Sequence, residues 1–213
     1  MTDHNAAFSP ARWLPAPKPG VWTKELLRSD GDSFTLLRLG RGAGWELTGG
    51  ADDRILVLEG DLDDGERRGR GAYRPASGVK VSSEGGCLAL VLSGTRLGAP
   101  ADDVFSPEGW QESSTGVWFR LLLDVTFDEG FDERVVGLSY FEPGSTAPRH
   151  PHRTAHRFLF LDGEADDELV FPDGTRQVFQ RRRGDFVDYP HPVEHQSFSR
   201  TGCLILFLHE PVR

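Results

Sequence analysis

Short apolar stretches bounded by turn residues recur along the whole chain. In the first half they occupy residues 21–27, 33–39, 54–60 and 86–92. Clusters of glycine, proline or aspartate separate them, as turns separate the strands of a sheet. Patterns with a helical period are few, and the chain contains 25 glycines and 14 prolines. These features predict an all-β protein.

The same order of elements returns in the second half of the chain. Four pairs of short segments match in sequence: Gly20–Trp22 with Gly116–Trp118, Leu56–Asp61 with Leu159–Glu164, Gly71–Tyr73 with Gly184–Phe186, and Gly86–Leu90 with Gly202–Leu206. The separation between the copies increases along the chain, as insertions in surface loops would cause. We therefore predict two homologous β-modules of about 90 to 100 residues each.

The composition of the remaining segments sets the predicted boundaries. Residues 12–93 are assigned to the N-terminal module and residues 116–213 to the C-terminal module. Residues 94–115 are rich in glycine, proline, serine and acidic residues, which is typical of a linker. Residues 1–11 are polar and irregular, and they are predicted to form a flexible arm.

Charge and hydropathy exclude several classes of partner. The formal net charge is −9 at pH 7, which argues against a nucleic-acid partner because phosphate binding needs a basic face. No apolar run reaches the roughly 18 residues of a membrane span, and the N-terminus lacks the pattern of a signal peptide. A cytoplasmic location is therefore expected. Cys87 and Cys203 each lie in an apolar run, which indicates buried thiols and not a disulfide.

The C-terminal half contains closely spaced histidines. His150 and His152 are two residues apart, so both side chains leave an extended strand by the same face. After a gap that suits a turn, His156 opens a further strand and shares a face with Phe158 and Phe160. Three imidazoles are therefore expected on adjoining strands, at a spacing typical of metal ligands.

A second stretch, residues 184–195, supplies a fourth candidate. Residues 185–189 have the pattern of a strand, Pro190 and Pro192 indicate a turn, and His195 begins the return strand. His195 is thus predicted to join the other three histidines.

The first histidine stretch resembles motif 1 of the cupins. That motif reads Gly, five residues, His-x-His, three or four residues, Glu, six residues, Gly. Its spacings are matched by Gly144, His150, His152, position 156 and Gly163. The one departure is the family's glutamate, which is His156 here.

The second stretch is similar to cupin motif 2. That motif reads Gly, five residues, Pro-x-Gly, two residues, His, three residues, Asn. Gly184, Pro190 and His195 fit it, whereas Pro192 replaces the usual glycine and Ser199 the usual asparagine.

Cupins bind one divalent metal at these four positions, inside a small β-barrel. The resemblance therefore implies His150, His152 and His195 as metal ligands, with His156 in place of the carboxylate. It also implies the fold, which would be two tandem cupin barrels of the double-stranded β-helix or jelly-roll type.

The histidines have no counterpart in the N-terminal module. Counted back from Gly60, the matched positions hold Asp53 for His156, Gly49 for His152, and Leu47 or Thr48 for His150, while Ser82 or a neighbour stands for His195. The N-terminal module is thus predicted to be metal-free. It would pair with the C-terminal module as two chains do in a cupin dimer, or shape the rim of the active barrel. A homodimer of the whole chain is a further expectation.

Imidazole ligands with few carboxylates suit Fe(II), Ni(II), Cu(II) or Zn(II) better than Mg(II) or Ca(II). Fe2+ is favoured here, with Zn2+ or Ni2+ as alternatives. Three histidines would leave coordination positions for a substrate and dioxygen or water, whereas four histidines around Zn(II) could close a tetrahedral structural site.

Side chains around the metal suggest a small organic ligand. Phe158 and Phe160 would line a partly dry cavity, or they would simply pack in the core. Tyr140 or Phe141 should face inward, and Tyr140 is a candidate donor of a proton or hydrogen bond to the ligand. His209 follows the last apolar run and is expected to be structural.

Within the cupins the chain looks like the ChrR type. The similar segments are Pro19–Trp22, Leu58–Asp61 and Glu84–Leu88. Some ChrR-type proteins are anti-sigma factors in which a separate helical zinc domain with His and Cys ligands grips the sigma factor. The arm of this chain has one histidine and no cysteine, so an anti-sigma role is not expected.

The leading functional prediction is a cytoplasmic, metal-dependent, dioxygenase-like enzyme that acts on a small organic substrate. Its metal would be held by His150, His152 and His195, with His156 as a fourth or exchangeable ligand. The alternatives are a non-catalytic sensor or binding module, and a zinc-dependent isomerase or hydrolase.

Overall fold

The computed structural model describes residues 7–28, 33–94, 97–123, 135–152, 154–189 and 192–211. Every regular element in these ranges is a β-strand, which confirms the all-β prediction. Within the same ranges, no helix exists that could cross a membrane.

The chain divides into two compact units. The N-terminal unit comprises residues 10–108, and the C-terminal unit comprises residues 109–213 together with residues 1–9.

The N-terminal unit contains strands β1 to β10. They are β1 (Leu14–Pro15), β2 (Val21–Arg28), β3 (Ser33–Leu39), β4 (Ala43–Thr48), β5 (Arg54–Gly60), β6 (Leu62–Asp63), β7 (Arg67–Arg68), β8 (Tyr73–Pro75), β9 (Ser77–Ser83) and β10 (Cys87–Ser93). Antiparallel pairing joins β1-β2-β3-β10-β5-β8 into one sheet and β4-β9-β6-β7 into another. Apolar side chains from both sheets pack into one core, among them Leu37, Ile55 and Val81.

The C-terminal unit contains strands β11 to β19. They are β11 (Gln111–Ser114), β12 (Val117–Leu121), β13 (Val135–Phe141), β14 (Ser145–His152), β15 (Thr154–Val170), β16 (Arg176–Arg182), β17 (Phe186–Tyr189), β18 (Val193–Ser199) and β19 (Cys203–Pro211). The strand order is β11-β12-β13-β19-β15-β18-β14, and β16 and β17 also pair with β15. Because β14 at one end of this path lies beside β11 at the other, the sheet nearly closes into a barrel.

Strand β15 connects the two walls of this barrel. It is 17 residues long. Its first part pairs with β17 and β19, and its second part pairs with β16 and β18. Side chains on one face of β15 therefore line both walls of the interior.

The structure differs from the predicted boundaries in two places. Leu97 and Val104, in the predicted linker 94–115, are buried in the N-terminal unit, and Ala101 bridges to Tyr73. Ala7, in the predicted flexible arm 1–11, is buried, and its N–H donates a hydrogen bond to the carbonyl of Gly184 at 2.8 Å. Isolated apolar residues within polar segments anchor both stretches; the rest of the arm, residues 1–6, lies outside the described residues.

The sequence repeat corresponds to a shared detail of backbone packing. Gly60 and Gly163 both have positive φ, at +73° and +70°. A Cβ atom at either position would lie 2.0 Å from a carbonyl oxygen, that of Gly86 in one unit and of Gly202 in the other. All four glycines belong to the matched segments. The close approach requires glycine at Gly60 and Gly163, and positive φ, at +104° and +91°, favours it at Gly86 and Gly202.

Each of these approaches is followed by a buried cysteine. Cys87 and Cys203 are free thiols, and burial raises the pKa of each to about 12. Both therefore act as small apolar core residues.

We predict that Gly163→Ala lowers the free energy of unfolding by about 2 to 4 kcal/mol, since it adds a steric clash to the unfavourable positive φ. Gly174→Ala is the matched control, because Gly174 has φ of +82° and no atom within 4 Å of the place that a Cβ would take; it should lose only about 1 kcal/mol. Denaturant unfolding of both variants measures the difference. Equal losses would show that the close approach is not limiting.

Candidate metal centre

The two histidine motifs meet where β14 pairs with β18. His150 lies directly opposite His195 in this antiparallel pair, so both side chains project from the same face. Their Nε2 atoms are 3.2 Å apart, and their ring centroids are 4.6 Å apart. The structure thus brings together one predicted ligand from each motif.

A bulge in β14 sets this register. Ala147 pairs with Ser197 and His150 with His195, so β14 carries one extra residue between these positions. Without the extra residue, Arg149 would stand opposite His195. Arg149 instead forms an ion pair with Glu168. Bulges of this kind are common next to functional sites because they re-aim a side chain.

The imidazole of His150 is oriented by the bulge itself. Its Nδ1 lies 2.8 Å from the carbonyl oxygen of Pro148. Donation from Nδ1–H to this oxygen leaves a lone pair on Nε2, the atom that faces His195. His150 is exposed at the mouth of the site, whereas His195 is buried.

The separation of the two Nε2 atoms fits coordination to one ion. Metal–nitrogen bonds of about 2.1 Å, at angles between roughly 90° and 109°, place two ligand nitrogens about 3.0 to 3.4 Å apart. The observed 3.2 Å lies in this interval. His150 and His195 therefore fit as neighbouring ligands of a single metal.

His156, the other predicted ligand whose side chain is described, is arranged differently. His156 stands opposite His209 on β19, and the two rings stack with centroids 3.6 Å apart and an interplanar angle of 25°. The side chain of His152 lies outside the described residues. Among the side chains that are described, no group of three or more His, Cys, Asp or Glu is placed to hold a metal ion. Sequence reasoning missed that His209, expected to be structural, shares the interior with His156.

A cavity of about 370 Å³ opens beside the histidine pair. Its lining is largely aromatic and also contains serines and one carboxylate. The residues that line it are Ser113, Ser114, Val117, Phe119, Ser139, Phe141, Ala147, Pro148, His150, Phe158, Phe160, Asp167, Tyr189, His195, Ser197, Ile205, Phe207 and His209. The volume is that of a site for a small organic molecule.

The parity of β13 decides which of its aromatic residues faces the cavity. Ser139 and Phe141 line it. Tyr140, between them, is 41% exposed and makes an edge contact with Trp110. Alternation along the strand thus turns Tyr140 outward. The prediction that Tyr140 donates a proton or hydrogen bond to the ligand is therefore wrong.

A buried carboxylate in the cavity wall was missed by the sequence reasoning. Asp167 is 1% exposed. Tyr189 Oη donates a hydrogen bond to its Oδ2, and Ser197 Oγ donates one to its Oδ1. Arg181 Nε lies 3.5 Å from Oδ2. One signal was available: Ala165 and Leu169 alternate with Asp167 on the buried face of β15, so the acid occupies an apolar row.

Burial controls the protonation of these groups. It lowers the pKa of His195 to about 3, with smaller effects from His150 and His209, and it lowers the pKa of His209 to about 3, assisted by His150. Both imidazoles are therefore neutral near pH 7, which is the form that binds metals.

The pKa values of Asp167 and Tyr189 shift in the opposite direction. Burial raises the pKa of Asp167, opposed by the hydrogen bonds from Ser197 and Tyr189 and by Arg181. Burial and the charge of Asp167 raise the pKa of Tyr189 well above its usual value. Tyr189 thus remains a hydrogen-bond donor at physiological pH.

We predict that the metal-free protein loses stability as the pH falls from 6.5 towards 3. In this window the unfolded chain protonates His195 and His209 and the folded chain does not, so each contributes a slope of about 1.4 kcal/mol per pH unit. His209→Gln should reduce this slope by the contribution of one histidine, about 1.4 kcal/mol per pH unit. Denaturant unfolding in chelator between pH 5 and 7 measures it, and identical slopes for the two proteins would contradict the assignment.

Solved structures that are similar to this chain identify its fold. The chain resembles a Cupin 2 conserved barrel domain protein from Leptotrichia buccalis, with a TM-score of 0.61, 13% identity, and 92% of each chain covered. It also resembles Bacillus subtilis oxalate decarboxylase in a structure concerned with its Mn(II) centres, with a TM-score of 0.64, 16% identity, and coverage of 97% of this chain and 77% of that one. These similarities establish the fold alone.

Sequence comparison is more specific. No curated protein matches the chain. The family model described as the ChrR Cupin-like domain matches residues 105–213, about half of the chain and nearly all of the C-terminal unit. The chain therefore belongs to the ChrR cupin-like family within the cupin superfamily.

Proposed function

We propose that the C-terminal unit binds one divalent transition metal through His150, His152 and His195, and that it acts on a small organic molecule in the adjoining cavity. The observation that carries this proposal is the 3.2 Å approach of His150 and His195 at the mouth of a cavity of about 370 Å³. His152 is included in this ligand set because of its position in motif 1.

The donor set favours Fe2+. Imidazole ligands suit iron, nickel, copper and zinc, whereas carboxylates shift preference towards manganese and magnesium. The similar Bacillus subtilis oxalate decarboxylase structure concerns Mn(II) centres. In this chain His156 replaces the glutamate of cupin motif 1, which makes the donors softer and supports iron over manganese, with zinc or nickel as alternatives.

The protein's own groups would prepare the site for a dioxygenase-like reaction. A bound metal would supply the positions at which a substrate and dioxygen meet. The Pro148 carbonyl holds the His150 ring in place. Phe158, Phe160 and Phe207 form an apolar wall that limits water in the cavity.

The stacked pair His156 and His209 has a different role from the ligand pair. The His156 ring is stacked on that of His209, with centroids 3.6 Å apart, and among the described side chains it does not form a group of three with His150 and His195 that could hold a metal ion. We therefore propose that His150, His152 and His195 are permanent ligands and that His156 is an exchangeable fourth.

We predict near-stoichiometric metal in protein purified without oxygen, measured by elemental analysis. Alanine at His150, His152 or His195 should lower metal affinity at least about a hundredfold, since even residues that only orient a ligand contribute ten- to a hundredfold. His4→Ala, which removes a histidine outside both motifs, is the control. Full occupancy in the His150→Ala or His195→Ala variant would reject the ligand set.

The identity of the metal separates the functional alternatives. Iron together with oxygen uptake on small ketones or phenols supports a dioxygenase-like enzyme. Tightly held zinc without oxygen uptake would instead support a sensor module or a zinc-dependent isomerase or hydrolase, and would contradict the proposed chemistry.

A further inference from the structure

The cavity has a second polar feature besides the histidine pair. Ser197 follows His195 by two residues on β18 and points to the same face, and Asp167 stands directly opposite Ser197. Two residues along a strand span about 7 Å. The carboxylate of Asp167, which accepts a hydrogen bond from Ser197, therefore lies about one such step along the cavity wall from His195, within reach of one small molecule.

The carboxylate is held in a fixed orientation from both walls of the barrel. Ser197 reaches it from the neighbouring strand β18, while Tyr189 reaches it from β17, which pairs with the first part of β15. Arg181 approaches at 3.5 Å and also lies over the rings of Phe179 and Tyr189, at 4.6 and 5.8 Å. The group is thus rigid and partly charge-compensated.

This arrangement leaves acceptor capacity facing the cavity. A carboxylate has about four lone-pair sites, and the hydrogen bonds from Tyr189 and Ser197 use two of them, while Arg181 contributes its charge at 3.5 Å. Among the described residues that line the cavity, Asp167 is the only acid and none is Lys or Arg. A second anionic group on a ligand would therefore find no cationic side chain there and would face a buried carboxylate.

We propose that Asp167 is a specificity-determining residue. It accepts a hydrogen bond from a hydroxyl group of a ligand whose other end reaches the histidine pair, and it disfavours ligands with a second carboxylate at that distance. The ligand class is a small hydroxylated organic molecule with no more than one carboxylate. The metal end of this ligand rests on the proposed function; the selection at Asp167 is a separate property.

Three probes with the same ring test the inference: benzoate, 3-hydroxybenzoate and isophthalate, titrated calorimetrically into metal-loaded protein. We expect 3-hydroxybenzoate to bind about tenfold more tightly than benzoate, as a hydrogen bond to a charged group allows. Isophthalate should bind more weakly than benzoate. In Asp167→Asn, the hydroxyl preference should fall to about twofold and the penalty on isophthalate should disappear.

The control variant is Asp185→Asn. Asp185 is also a buried aspartate of the C-terminal unit, 3% exposed, but its Oδ2 accepts a hydrogen bond from the Arg182 backbone and it does not line the cavity. It should keep the wild-type order of affinities. If Asp167→Asn does not fold, Asp167→Ser, which also removes the charged acceptor, should lower the hydroxyl preference in the same way.

Metal content measured before each titration separates the two proposals. Wild-type protein that takes up no metal would defeat the proposed function. Equal binding of the three probes, tightest binding of isophthalate, no binding of any probe by metal-loaded wild-type protein, or an unchanged preference in metal-loaded Asp167→Asn would each overturn the role of Asp167.

Discussion

The register of β14 against β18 is the constraint on which the candidate site depends. The two motifs are far apart in the chain, and only backbone pairing brings their histidines to within 3.2 Å. Because side chains alternate along a strand, a slip of one residue would turn His150 outward and place a neighbour in the cavity. The bulge after Ala147 fixes the register. Pro148 assists, since it has no N–H to donate to the ladder and its carbonyl holds the His150 ring.

Features that depend on short stretches of sequence could be predicted from the sequence. The strands were predicted from short apolar stretches bounded by turn residues, and the repeat was predicted from matched segments. The matched glycines Gly60 and Gly163 share one close backbone contact. The meeting of His150 with His195 followed from motif spacing. The orientation of Tyr140 did not, because the parity of β13 is set by its pairing with β12 and β19, strands that the sequence alone cannot align.

Non-local register explains the other residues that sequence reasoning missed. His209 became a neighbour of His156 only through the pairing of β19 with β15. Asp167 lies among Glu164, Asp166 and Glu168, a run that looks like a solvated surface. Its burial depends on the second part of β15 turning into the other wall of the barrel, where β16 and β18 cover it.

Buried aspartates have different structural roles in the two units. Asp53, which the repeat aligns with His156, accepts hydrogen bonds from the Gly50 backbone at 2.9 Å and from Ser93 Oγ at 2.8 Å, and so ties a turn to β10. That carboxylate stabilises a loop. Asp167 has no such local duty: its partners come from other strands, and it faces a cavity. Buried ionic groups contribute little net stability, because desolvation offsets their mutual attraction. An apolar residue would fill this aromatic cavity at least as well, so the carboxylate is better explained by what it would bind than by what it holds together.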